Sequence, residues 1–494
     1  MIKSATEGIL ASSGIAGIDL IDDIISWVPV DTPFFNSVAR GQGRGATAVF
    51  FESLVNVNNQ QPDGGVQSDY AAPIALIKPQ YTYSPYAVVG MGGTVSWDAI
   101  AQGLDFTDVL AVDTLQTINQ LLIALEIHQL NAQSFALPAA PTPSVTALNS
   151  GGSLGASTAY YVKVAARSGV NWYRGGSQAV GSSGTATTSA GSTNSLAVSC
   201  SAVTGAAGYD WYVSNTAGGA GIYYYYTTTP VNTVTVTSFT AAAATVPTGY
   251  AGLYNAGQAG PASVPTVDSS FQSFWQNGLT ASILGDWSAQ PDQALVSGSI
   301  ANLVTPGSGV SQEAYYQTLN GAQLAVSGAA LEQVDEMNKA IYDTYQVTPS
   351  RLLMGSQTIQ DISNSVLNNP QAVTFIPFED RVARGNGVAG GHVATYLNKV
   401  ANGEPIPLHL MPYLPPGKIV AVIDSLPFPG SNVTSALQAR TQYDFFRFDY
   451  GANRQANTDN GGPRYDFEFR SRQAFVNRAA PICGVIENIG EGIA

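Results

Sequence analysis

The sequence predicts an α+β chain interrupted by an all-β insertion, and three observations carry that reading. Residues 105–135 hold one long helical pattern. Residues 137–265 shift abruptly to a Gly/Ser/Thr/Ala/Tyr-rich composition with short alternating runs, and the flanking segments mix helix and strand signals. At 494 residues the chain has room for about three domain-sized units, each able to bury its own core.

In the long helical pattern, Val109, Val112, Leu115, Ile118, Leu122 and Leu125 recur at three- and four-residue steps. Asp108, Asp113, Gln116, Asn119 and Glu126 fall between them. Asp105, Thr107 and Asp108 place capping side chains and negative charge at its start. A helix this long is a strut, and residues 96–136 are assigned to it and its approach.

Residues 1–45 read as an N-terminal arm. A modest helical pattern (Ile18, Ile21, Ile24, Ile25) meets Pro29 and Pro33, which stop it and leave Phe34 and Phe35 on an extended segment. Apolar residues on an arm need a host surface, which is either their own domain or a neighbouring subunit. Residues 46–95 read as a long two-stranded loop: ATAVFFESLVNV, a polar tip, then PIALIKPQYTYSPYAVVGMGGTV. Such a hairpin has too little core to stand alone, and Pro73, Pro79 and Pro85 imply an exposed, edge-like return strand. Lys78 is its only lysine, and a rim salt bridge or a solvated end accounts for it more simply than a covalent link to a neighbour.

Within 137–265 the only charged side chains are Lys163, Arg167, Arg174 and Asp210. The runs STAYYVKVAAR, NSLAVSCSAV, GYDWYVSN, IYYYYTTT and NTVTVTSF, separated by Gly/Ser-rich turns, predict a β-sandwich inserted into a host domain. LPAAPTPS and AAAATVPTGYAG read as proline-bearing linkers at its two ends. Tyr160, Tyr161, Trp211, Tyr212 and Tyr223 to Tyr226 read as core and edge packing in preference to a sugar-binding face. The host resumes over 266–430, with a helix expected from Asp268 and an amphipathic helix in ALEQVDEMNKAIYDTY. VTPSRLLMGSQTIQDISNSV then alternates strand and helix, and PIPLHLMPYL and KIVAVIDSL read as strands around a PPG turn. In residues 431–494, aromatic and charged side chains alternate at period two, as on a sheet covered on one face.

Charged residues make up only 11% of the chain and the formal net charge is −14. The low charge suits extensive self-association, and its sign excludes a protein that wraps nucleic acid, which needs cations to displace counterions from phosphates. Cys200 and Cys483 are the only cysteines, so no disulfide framework or Cys-rich metal site is available and buried thiols are expected. The N-terminal apolar residues are interrupted by Glu7, Asp19, Asp22 and Asp23, unlike a signal-peptide core, and no apolar run is long enough to span a membrane. No catalytic motif is assembled, and no cofactor, metal or membrane partner is expected. His128, His392 and His409 lack partners at ligand spacing. GNGVAGG at 385–391 matches a dinucleotide fingerprint only in its glycines and reads as a glycine loop.

The order of these segments resembles the major capsid proteins of tailed bacteriophages, the Hong Kong 97-type fold. The likeness is carried by DTPFFNSVARG at 31–41 with VFFES, LLIALEIHQLNAQ at 121–133, PSRLLMGSQTIQDI at 349–362, GGHVATYL at 390–397, LPPGKIVAVIDSL at 414–426 and the ending RQAFVNRAAPICGVIENI. TAYYVKVAARSG and AVTGAAGYDWYVS are similar to strands of immunoglobulin- or fibronectin-type modules, without their paired cysteines. The resemblance implies a structural protein and not an enzyme, with hexamers and pentamers of an icosahedral shell around double-stranded DNA. It implies a virion location after assembly in the host cytoplasm, with scaffold, portal and decoration proteins as further partners. On this likeness Phe34, Phe35, Lys78, Tyr81, Gly387 and Gly390 are the subunit-interface candidates, the glycines at an axis-proximal tip. Because the arm begins almost at residue 1, no large N-terminal scaffolding segment is expected. Two rival classes stay open on the sequence: a surface-layer or tail-fibre protein, and a secreted carbohydrate-active enzyme with paired carboxylates.

Overall fold

The computed structural model describes residues 31–45, 48–53, 80–103, 109–133, 137, 140–174, 182–215, 223–239, 277–284, 314–327, 330–368, 394–400, 403–426, 435–453 and 464–491. The helix expected from Asp268, the pattern of Ile18 to Ile25 and the glycine loop at 385–391 lie outside them. Val109–Asn131 forms one helix of 23 residues, about 35 Å long. Its buried face is Val109, Thr117, Leu121 and Leu125, followed by Glu126, His128, Gln129, Leu130 and Asn131. The observed face is rotated from the predicted stripe: Leu115 is 57% exposed, and Val112, Ile118 and Leu122 are half-buried. Thr117 takes a core place because its hydroxyl is satisfied inside the helix, donating to the Asp113 carbonyl at 2.8 Å. The last turns are enclosed on all sides, so amphipathic periodicity no longer reports their burial.

This spine joins two sheets. Its first half crosses a four-stranded sheet in which β1 (Ala39–Gln42) runs parallel to β19 (Leu437–Asn453). β19 pairs antiparallel with β20 (Arg464–Asn477), and β20 with β4 (Ala87–Ser96). Val89, Val95, Phe467 and Phe469 meet Leu121 and Leu125 in the core between sheet and helix. Strand β4 can approach this closely because residue 93 is glycine: a Cβ there would collide with the Phe467 ring and the Asp113 carboxylate. β19 and β20 pair along their whole length as a long ribbon within this sheet, flanked by β1 at one end and by β4 over residues 464–473. A bulge at Phe445, whose φ is +48°, turns that ring inward against Phe35, at 6.5 Å between centroids.

The second sheet has six strands in the order β12 (Tyr315–Thr318), β21 (Gly484–Glu487), β18 (Ile419–Val422), β15 (Arg351–Met354), β17 (Glu404–Leu410) and β16 (Thr395–Asn398). Period-two alternation divides its strands between two cores. Leu352, Met354, Ile419, Ala421 and Ile486 pack under the helices Glu332–Tyr345 and Ser356–Asn368, while Leu353, Val420, Val422 and Val485 pack against Phe34, Leu130, Leu279 and Phe475. The helix–strand–helix expected over 332–368 is present. A two-residue pair, β13 (Val326–Ser327) with β14 (Ala330–Leu331), precedes the first of these helices.

The expected long loop over 46–95 is divided. Among the described residues β2 (Ala48–Ser53) and β3 (Gln80–Pro85) pair with each other; the strand is interrupted at Tyr86, and 87–96 leaves the hairpin to become the edge strand β4. Pro85 marks the break because it can donate no ladder hydrogen bond to a strand on its other side.

Between spine and host, seven strands form two sheets around a closed core. They run β10 (Tyr224–Thr229), β9 (Gly208–Ser214), β6 (Ala159–Arg167), β7 (Gly184–Thr187) in one and β11 (Thr233–Val236), β8 (Ser195–Ser199), β5 (Ser144–Leu148) in the other. Counted along the module these are 6-5-2-3 and 7-4-1, whereas an immunoglobulin domain groups its first, second, fourth and fifth strands. The described strands therefore make a sandwich with a different order. Trp211, Tyr209, Val162, Val164, Leu196 and Val236 fill it, and Arg167 pairs with Asp210 at 2.6 Å with both side chains buried. The Thr228 hydroxyl also donates to Asp210, which completes a satisfied polar node inside an apolar wall. Leu137 and Ala140 are buried in the same core, so the first expected linker is packed and not free.

Candidate assembly surface

Two of the interface candidates lie buried within their own chain. Phe34 and Phe35 are 0% and 3% exposed within their own chain, Phe34 in the core beneath the six-stranded sheet and Phe35 against the four-stranded one. The reason is local: Pro33 does not prolong an extended arm but occupies the first turn of a short helix, Pro33–Ser37, where its missing N–H costs nothing. Tyr81 lies in β3 opposite Glu52. Lys78, Gly387 and Gly390 lie outside the described residues.

A residue that falls between the apolar positions of the predicted stripe holds this helix. Thr32, at the N-cap, makes no side-chain capping bond. The Glu126 carboxylate, reaching across from the spine, accepts the backbone N–H groups of Phe34 at 3.0 Å and Phe35 at 2.5 Å. An acid 91 residues downstream thus satisfies the donors that an N-cap side chain would have taken, at the positive end of the helix. Glu126 is fully buried, and burial pushes its carboxyl up to about 7 against the downward pull of the Phe35 and Phe34 N–H groups, with Asp31 adding to the rise.

What remains outside the cores is a set of projecting pieces. The hairpin β2–β3 pairs with no third strand among the described residues. On the ribbon, parity after the bulge sends Phe446, Phe448 and Tyr450 to the face away from the spine. Phe446 and Tyr450 are 53% and 52% exposed, and Val88 on the neighbouring edge strand is 49% exposed. The Phe446 and Phe448 rings lie 4.8 Å apart, with the Arg470 guanidinium 5.1 Å from the Phe448 ring and held by Glu468 at 2.6 Å. Sequence alternation located this sheet; the position of the bulge, which decides which aromatics face out, has no sequence signal of its own.

The sandwich is seated on the host through polar contacts. Asn232 donates to the Asn320 side chain at 3.1 Å, the Tyr173 and Tyr413 rings meet edge to face at 5.9 Å, and Gly169 lets the module approach the spine at Asn131, where a Cβ would come within 2.6 Å. Beside this seat Lys418 and Glu487 form a buried pair at 3.7 Å. Burial raises the Glu487 carboxyl above the usual carboxylate range and Lys418 pulls it back. Such a pair fixes an orientation more than it adds stability.

Among the described residues no group of three or more His, Cys, Asp or Glu side chains could hold a metal ion, and no helix is long and apolar enough to cross a membrane. Cys200 and Cys483 are free and buried, each thiol pushed up to about 12 by burial, far from a reactive thiolate.

No family model and no curated protein matches the chain. Among solved structures it is similar to the capsid of an empty GTA particle (TM-score 0.41, 9% identity, 96% of this chain and 95% of that one). It is also similar to the capsid asymmetric unit of cyanophage A-1(L) (0.40, 11%, 97% and 99%). A third is the holo-SrpI encapsulin complex from Synechococcus elongatus PCC 7942 (0.33, 10%, 97% and 95%). Two of these are capsids, the class that the sequence resemblance named. At such identities and TM-scores the likenesses carry no functional argument by themselves, which leaves the chain's own architecture to carry it.

Proposed function

We propose that this chain is a shell-building major capsid protein of the Hong Kong 97-type, assembling as hexamers and pentamers into an icosahedral container for the double-stranded DNA of a tailed phage. The observation that carries the reading is the hairpin β2–β3, whose strands pair only with each other among the described residues. A two-stranded hairpin is marginal in water; its root is covered by its own chain, where Phe51 is 5% exposed and both strands lie against β20, and the rest of its burial comes from an adjacent copy. The spine supports the reading by tying both sheets to one rigid axis from which hairpin and ribbon project. A net charge of −14 lets a shell wall face packed DNA without adhering to it. In the same reading the sandwich stands on the outer surface, the protein resides in the virion after assembly in the host cytoplasm, and scaffold, portal and decoration proteins are its further partners.

Negative-stain microscopy of the purified full chain, with sedimentation across a concentration series, tests this. Closed shells or six-fold capsomers are expected. Sheets or fibres would favour a surface-layer or tail-fibre protein, and monomers at high concentration would end the shell reading.

A further inference from the structure

Where the hairpin meets the four-stranded sheet, an open cleft of about 390 Å³ is lined by Arg44, Arg440 and Arg478 together with Tyr86 and neutral residues, with no carboxylate among the described residues that line it. A fourth guanidinium, that of Arg472, lies 5.8 Å from the Tyr86 ring. The arrangement is held by neutral partners: Arg440 donates to the Gln438 side chain at 2.9 Å and to the Gln42 carbonyl at 3.5 Å, and the Tyr86 hydroxyl donates to the Arg44 carbonyl at 3.3 Å.

Two members of this grouping, Arg44 and Arg440, differ from six other described arginines. Arg40, Arg167, Arg351, Arg447, Arg464 and Arg470 each pair with a carboxylate. Among the described residues Arg44 and Arg440 pair with none, in a protein with 34 acidic residues against 20 basic ones. The counter-charge that Arg44 and Arg440 lack is the one thing the chain has in excess.

We propose that the cleft receives a carboxylate-bearing segment from a second copy of this chain. The proposal rests on the self-assembly reading and gives it a chemical contact. Two copies at −14 each repel one another at long range, so a stable contact needs local attraction between opposite charges. Guanidinium forks bind carboxylates bidentately, and burial in a contact between copies spares the pair much of the screening that weakens exposed ion pairs. A nucleic-acid backbone is the poorer occupant: tracking phosphates takes a run of cations along an open groove, and these cations cluster in one concavity at the foot of a hairpin.

The test is the full chain carrying R44E and R440E together, with R44Q/R440Q read in its place should the reversed pair fail to fold. Particle formation is followed by sedimentation at low and high salt, beside far-UV circular dichroism and thermal melting. The variant is expected to keep its melting behaviour and to need at least about tenfold more protein to assemble, the size of a lost close charge pair. Raising the salt should narrow the gap by weakening the wild type. Assembly of the variant at wild-type concentration overturns the proposal and leaves the shell reading standing. Failure of the wild type itself to assemble removes both. Unchanged assembly with lost retention of double-stranded DNA assigns the cleft to phosphate and also overturns the proposal.

Discussion

The sandwich and the hairpin both leave the host as excursions from its two sheets, yet they solve the burial problem in opposite ways. The sandwich closes seven strands around Trp211 and Tyr209 and neutralises its one internal cation, Arg167, with Asp210. The hairpin pairs two strands over 48–53 and 80–85, and its buried Phe51 lies near Arg478 of the host. One piece of chain carries its stability with it; in the assembly reading, the other borrows part of its own. Folding stability and assembly should therefore respond to different residues in the same protein.

The largest effect is expected inside the sandwich. Trp211 is fully buried and donates its indole N–H to Thr229 at 2.8 Å, so Trp211→Ala should cost about 3–5 kcal/mol in that unit. Hydrogen exchange separates the regions: protection should fall in β6 and β9 and persist in β15 and β18. Equal loss in the six-stranded sheet would show that the polar seat around Asn232 and Lys418 makes sandwich and host one cooperative unit.

A smaller effect is expected at Glu126, where the spine holds the helix at Phe34. Glu126→Ala leaves two buried N–H groups without an acceptor and should cost about 2–3 kcal/mol, read from denaturant melts. The pH dependence distinguishes capping from filling. In the folded chain the carboxyl holds its proton up to about 7, against an ordinary glutamate value of 4.5. The folded state therefore binds more protons through that window, and this group's contribution to stability is full below about 4.5, declines as pH rises towards 7 and is level above. Glu126→Gln should flatten that slope while keeping one acceptor for the helix. A slope unchanged in the Gln variant would assign the titration to another group.

The sequence made legible those elements whose burial is periodic. The helix–strand–helix over 332–368 and the tail strands follow from spacing alone, because each buries one regular face. Phe34, Phe35 and Glu126 did not follow, since their burial depends on contacts made 91 or 92 residues apart. An acid between apolar helix positions looks the same whether it faces water or a set of N–H donors. The rotation of the spine's buried face has a similar origin, for Thr117 is polar by composition and becomes a core residue only through its bond to the preceding turn. The arginine cleft was hidden because its members come from residues 44, 440 and 478 and carry no shared motif.

The smallest effect on the fold, and one of the most telling on assembly, belongs to the ribbon. Phe446 is 53% exposed, so Phe446→Ser gives up little buried surface within the chain and should move folding stability by no more than about 0.5 kcal/mol. Its neighbours on the same face are also aromatic, with Tyr443 6.2 Å and Phe448 4.8 Å between ring centroids. Together with Val88 and Tyr450 they form a patch of the kind that subunit contacts bury. If that patch is covered in the particle, losing one aromatic anchor should raise the concentration needed for assembly by roughly 5- to 30-fold, the scale of a moderate interface residue. Melting and particle yield measured on the same sample then divide the two properties. A loss of both together would mean that the ribbon's outer face is held by its own chain, as Phe467 is on the inner face at 1% exposure, and that the hairpin alone does the borrowing.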